Sequence, residues 1–276
     1  MSRAWNDAVS RISANREVMM IVAGVFFLLP SLLFYVLFSD VQTQAMADLQ
    51  QMAQGKAPAE AAMQGVGASF FFTAFALSLA QLVGFIALLS LLDDRDRPTV
   101  GQAIGIGIKS LPTLIGASLL VMLGYILAAF VFGMLMGISA GVAAVTFILV
   151  LLLLGVMIYA MVRLSLLLPV VVFERQLNPI TALVRSWRLT KGSTMMLFLF
   201  YLLLMVVYFV ISLLVTGMLL ALLIGIMGQN TVTMFLGGLV SGALSAVANM
   251  VFTGIIASVY RQLAGPSTTD YTETFG

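Results

Sequence analysis

Two stretches without a single charged residue constrain this chain more than any other feature. Ser110 to Val162 runs for 53 residues and Gly192 to Tyr260 for 69. A helix crosses the hydrocarbon core of a bilayer with roughly 20 apolar residues, so each run is long enough for two spans and a turn. Val18 to Ser39 and Ala61 to Leu92 are also free of charge and hold one span each. Over the whole chain 9% of residues are charged and 62% hydrophobic, whereas soluble domains carry roughly 25% charged residues. No soluble core hides that much apolar surface. Unpaired backbone amides are costly in lipid and nothing here alternates like a barrel strand, so the spans are expected to be helical. The expected fold is all-α, a polytopic membrane protein with six transmembrane helices.

The spans are expected at about 18–39, 69–92, 112–137, 142–169, 195–227 and 232–260. Turn residues at 137–141 and 228–230 divide the two long runs. Lys and Arg then set the orientation. The N-terminal segment carries Arg3, Arg11 and Arg16, the second loop Arg95, Arg97 and Lys109, the fourth Arg175, Arg185, Arg188 and Lys191, and the tail Arg261. Against these eleven, the opposite side has only Lys56. The positive-inside rule puts both termini in the cytoplasm. The first apolar segment has 22 residues, more than the roughly 7–15 of a signal-peptide core. It is expected to remain a span despite the small-x-small triplet Ala45-Met46-Ala47.

The cytoplasmic segments carry a second pattern. Trp5, Ala8, Val9 and Ile12 fall at i, i+3, i+4 and i+7, as do Val100, Ala103, Ile104 and Gly107, and again Ile180, Leu183, Val184 and Trp187. That spacing draws one stripe along a helix, and Pro98 and Pro179 suit a helix's first turn. Each stripe precedes two spans. The chain therefore reads as three hairpins, each preceded by a cytoplasmic interfacial amphipathic helix, within a single membrane domain, 1–263. The units would be 1–92, 93–173 and 174–263. Internal duplication would produce this pattern, and so would the general tendency of basic loops to lie amphipathically on a membrane surface. Trp5 and Trp187 are the expected interfacial anchors. The external segment 40–68 is expected to be a short helix or linker, and the tail 264–276 to be disordered.

Without Cys or His, disulfides, thiolate sites and the commonest general base are excluded. A Ser or Thr nucleophile would have no base to activate it. No carboxylate falls in an expected span, which counts against a proton-driven pump. No catalytic residue, cofactor or metal site is expected. The net charge of +2 comes from basic residues bordering spans, so nucleic acid is not an expected partner.

Arg163 is the one charged residue between Ser110 and Phe173. It is expected two to three turns inside its span, where a guanidinium costs about 2.5–3.5 kcal/mol. A backbone carbonyl, a polar side chain such as Gln81 or Asn249, or a lipid phosphate would relieve that cost. Glu174 would lie about 16 Å away along a continuous helix, too far to pair. Arg163 is then either a structural anchor or a functional cation site. On the sixth span Gly238, Gly242 and Ala246 are spaced by four and, with Ser245 and Asn249, make a small-residue face for close helix packing.

The segment Ala182-Leu183-Val184-Arg185-Ser186-Trp187-Arg188-Leu189-Thr190-Lys191-Gly192, preceded by Arg163, Pro169 and Glu174-Arg175, resembles the membrane domain attached to some bacterial glycerophosphoryl diester phosphodiesterases. It is also similar to the related YciC family of inner-membrane proteins. In those phosphodiesterases catalysis belongs to a separate soluble domain using histidines and acidic metal ligands, and there is no His here to carry it. The resemblance implies a bacterial inner-membrane location without that activity.

The expected function is a non-catalytic inner-membrane protein that organises a protein partner or local lipid. Its expected partners are membrane lipids and another membrane protein, with lipid or anion contacts at Arg163, Arg185, Arg188 and Lys191. The alternative is a carrier or channel for a lipid-like or anionic small molecule, with Arg163 as the anion contact.

Overall fold

The computed structural model describes residues 2–34, 36–38, 68–93, 98–138, 142–228 and 231–265, with the single positions 41, 51 and 54. Nearly all of the segment 40–68 expected to be external, residues 139–141 and 229–230 of the two expected turns, and the expected tail beyond 265 lie outside the described residues.

All regular structure among the described residues is helical. Helix α1 is Ser2–Ala14, and α2, Arg16–Ala23, continues through a π-helical turn at Gly24–Leu28. Then follow α3 (Ala68–Leu91), α4 (Val100–Ile138), α5 (Ala143–Arg163), the short α6 (Leu167–Phe173) and α7 (Pro179–Leu189). Helix α8 (Thr194–Ser212) passes through a second π-helical turn, Leu213–Gly217, into α9 (Met218–Met227), and α10 is Thr231–Ala264. Among the described residues six helical stretches are long and apolar enough to cross a membrane: Arg16–Phe38, Phe70–Leu91, Val100–Ile138, Ala143–Phe173, Thr194–Met227 and Phe235–Ala264. These coincide with the six stretches expected from the charge-free runs.

The spans differ in how much protein surrounds them. The most apolar windows of the second and sixth are 39% buried, those of the third and fifth 0%, and that of the fourth 6%. The core therefore sits among the first, second and sixth spans. Phe27, Ile86, Leu88, Leu89 and Ile255 are buried there. Small residues permit the close crossings, as expected where lipid gives no hydrophobic drive to pack helices. A Cβ on Gly84 would collide with Cβ of Phe26, and one on Gly107 would meet Val83 Cγ1 at 3.0 Å. Gly238, Gly242 and Ala246 are all buried. A Cβ on Gly242 would lie 3.5 Å from Ser31 Cβ, so the small-residue face of the sixth span packs on the first.

Two helix starts are capped as their sequences permit. Asn178 Oδ1 accepts from the amides of Ile180 (3.0 Å) and Thr181 (3.4 Å), with Pro179 in the first turn of α7. Ahead of α4, the Thr99 amide donates to Gln102 Oε1 (2.9 Å) and the Gln102 amide to Thr99 Oγ1 (3.4 Å), a reciprocal capping box. Pro98 thus precedes the cap instead of occupying the first turn.

The structure departs from the threefold expectation at the second unit. Val100–Gly107 is no separate helix but the start of α4, which runs for 39 residues straight through Pro112. At 1.5 Å per residue that is about 58 Å, well beyond the roughly 30 Å hydrocarbon core. Its stripe faces protein, since Ala103 and Gly107 are buried. The stripe on α1 is split: Ala8 is buried against α10 whereas Trp5 and Val9 are exposed. On α7 most of the stripe is exposed, at Ile180, Val184 and Trp187, while Leu183 is half-buried and the small residues Ala182 and Ser186 are fully buried.

Candidate functional site

The fourth span ends as a regular helix at Arg163, where α5 gives way to the turn Leu164–Leu166. Pro169, in the first turn of α6, has no amide proton for the carbonyl four residues back, which favours a break just upstream. The 21 residues of α5 cover about 31 Å, one hydrocarbon thickness. Arg163 therefore closes α5, where a cation favours the dipole, while the apolar span runs on through the turn to Phe173, ten residues beyond it.

Arg163 is 8% exposed, and its side chain is committed to neighbours. Arg163 Nε and Nη2 donate to the Tyr159 hydroxyl at 2.9 and 2.6 Å, and Nη1 donates to the Trp187 carbonyl at 2.8 Å. The guanidinium carbon lies 4.9 Å from the Trp187 ring centroid and 5.1 Å from that of Tyr159. The two rings meet edge to face at 5.7 Å. A cation enclosed by π-faces and hydrogen-bonded to a carbonyl recovers part of its lost hydration without a carboxylate.

The main chain completes the knot. Ser186 Oγ donates to the Arg163 carbonyl at 3.0 Å. Thr190 Oγ1, 3.2 Å from the same oxygen, shares its one proton among that carbonyl and those of Ser186 and Trp187. The open end of α5 is thus satisfied by hydroxyls of α7 and the segment after it, while α7 receives the guanidinium. At the other end of α7, Thr113 Oγ1 of α4 donates to the Leu177 carbonyl at 2.8 Å, and Pro179 Cγ would meet a Cβ on Gly116 at 3.5 Å.

The remaining cations have different fates. Arg185 Nε bonds both oxygens of Glu174, at 2.9 and 3.1 Å, and Glu174 also accepts from the Tyr260 hydroxyl at 2.8 Å. That carboxylate joins α7 to α10. The side chains of Arg188 and Lys191 are exposed and enter no ion pair among the described residues. Trp187 and Trp5 are 40% and 44% exposed. The structure brings Arg163 and Trp187 together, sets Arg188 beside them, and leaves Trp5 on the separate helix α1.

An open cleft of about 470 Å³ lies between α4, α5 and α7. Arg188 and Trp187 line one end, and Gly124, Ala128 and Val156 line its apolar length. Neither Gln81 nor Asn249 relieves Arg163, and Asn249 instead donates to Ser245 Oγ at 3.3 Å. The role of Tyr159 was open to sequence reasoning, since it lies four residues before Arg163 on one helix face. Comparison with protein-family models, curated proteins and solved structures finds no match.

Proposed function

We propose that this chain is a non-catalytic protein of a bacterial inner membrane, with both termini cytoplasmic, that organises a protein partner or the local lipid through its basic cytoplasmic helices. The observation that carries the reading is α7. Its large apolar residues Ile180, Val184 and Trp187 remain exposed, the last two along the open cleft, and Arg188 and Lys191 stand beside them without ion-pair partners among the described residues. Such a face belongs in the headgroup region or against another membrane protein. The eleven-to-one distribution of Lys and Arg supports the cytoplasmic assignment. The likeness of residues 163–192 to the membrane domain of certain phosphodiesterases fits the same location.

A carrier for a lipid-like or anionic molecule is the second reading, favoured by the cleft beside α7. Enclosure of Arg163 moves the anion contact in that reading to Arg188. Reporter fusions at Gly55 and Gly265 test the topology, and opposite sides are expected. A photoreactive residue in place of Val184 should crosslink to lipid or to one stoichiometric protein. Fusions on the same side, or no crosslink to either, would overturn the proposal.

A further inference from the structure

We infer that the cleft between α4, α5 and α7 seats one acyl chain of an anionic phospholipid, whose phosphate meets Arg188. This rests on the membrane orientation proposed above and names the lipid that α7 organises.

The cleft has the polarity of such a ligand. The lining runs from Leu120 to Ala128 on α4 and from Val156 to Leu164 on and just past α5, and the bonds of Trp187 and Ser186 to Arg163 set Trp187 and Arg188 toward the Leu164 end. Eight residues of α4 separate Leu120 from Ala128, a depth of about 12 Å along the helix axis. Its volume of about 470 Å³ falls within the usual range for bound small molecules, roughly 300–1,000 Å³. Arg188 has no ion-pair partner among the described residues, so its guanidinium is available to a phosphate. Arg163 and Arg185 are not, being held by Tyr159, Trp187 and Glu174. The indole of Trp187 is amphipathic and suits the headgroup level.

Gly124 gives direct control of the groove. A Cβ there meets no atom within 4 Å, and the same holds for Gly133, farther along α4 and outside the cleft. Gly124→Leu therefore starts its side chain in open space on the wall of the groove, and Gly133→Leu adds the same bulk elsewhere.

The test uses the full chain carrying Trp5→Phe, so that Trp187 is the single indole. It is reconstituted in phosphatidylcholine vesicles with a minor fraction of phosphatidylglycerol, and one lipid at a time carries brominated acyl chains. Brominated phosphatidylglycerol should quench Trp187 beyond its mole fraction, and brominated phosphatidylcholine should not. Arg188→Gln should lower the apparent preference roughly fivefold, the effect of one cation at the surface. Gly124→Leu should abolish it, and Gly133→Leu should retain it. Equal quenching by the two lipids, or a preference that survives both Arg188→Gln and Gly124→Leu, overturns the inference. If the Gly55 and Gly265 fusions still report opposite sides, only the lipid seat fails. If they report the same side, the orientation beneath it fails as well.

Discussion

Ser186 Oγ donates to the Arg163 carbonyl at 3.0 Å while Arg163 Nη1 reaches past it to the Trp187 carbonyl at 2.8 Å. The end of a membrane-spanning helix and an amphipathic helix 23 residues later thereby satisfy each other. A buried carbonyl without a partner costs about 1–3 kcal/mol, so the pairing holds α7 against α5.

Substitutions at Arg163 should follow the geometry of the guanidinium. An ammonium has no planar fork to serve the Tyr159 hydroxyl and the Trp187 carbonyl together. Arg163→Lys should therefore lose about 1–3 kcal/mol, seen as a lower thermal midpoint in detergent and a changed Trp187 emission. Arg163→Leu should cost at least as much, because the Trp187 carbonyl loses its charged donor. Wild-type midpoints for both variants would remove Arg163 from any structural role.

Two glycines should respond in opposite ways to alanine. At Gly84 the added methyl would strike Cβ of Phe26, which is fixed to its backbone, with Phe27 Cε2 at 3.3 Å. Overpacking of this kind costs about 1–3 kcal/mol. At Gly254 the nearest atom is Ile12 Cδ1 at 2.7 Å, the far end of a side chain able to turn away. Alanine is also the better helix former by about 1 kcal/mol, so Gly254→Ala should be near neutral. Equal midpoints for the two variants would show that the first and second spans do not cross at Gly84.

Docking of α1 should depend on acid. Asp7 accepts from Arg11 Nε at 2.8 Å and from Ser258 Oγ of α10 at 2.9 Å. Partial burial opposes its ionisation, but hydrogen bonds from Arg11 and Ser258 outweigh that and hold its pKa below the ordinary 3.8. A carboxyl depressed on folding contributes stability above its unfolded pKa and loses it as pH falls through the folded value. Protease sensitivity of residues 2–14 should stay low above about pH 4 and rise below it. Asp7→Asn should raise it at neutral pH and flatten the dependence. An unchanged profile in Asp7→Asn would sever α1 docking from this carboxylate.

The six spans were legible because lipid excludes charge, and uncharged runs report that directly. The contacts of Arg163 were less so. Tyr159 lies at helical spacing, but Trp187 is 24 residues away in sequence and reaches Arg163 only because the helix breaks at Leu164. Proline alone does not mark the break: α4 passes through Pro112, whereas a turn precedes Pro169. The apolar stripe of α7 was visible, but not its direction. Beside lipid the large residues Ile180, Val184 and Trp187 can face outward while Ala182 and Ser186 pack inward, the reverse of a soluble amphipathic helix.

The direction and side of α7 are open to one measurement, since the chain contains no cysteine. Val184→Cys and Lys191→Cys would be labelled with a membrane-impermeant maleimide, in sealed vesicles of each orientation. Lys191→Cys should react only from the cytoplasmic face, and Val184→Cys should resist the aqueous reagent while reacting with a lipid-soluble one. Reaction of Val184→Cys as fast as Lys191→Cys, or labelling of Lys191→Cys from the outer face, would contradict an amphipathic helix seated at the cytoplasmic surface of the membrane.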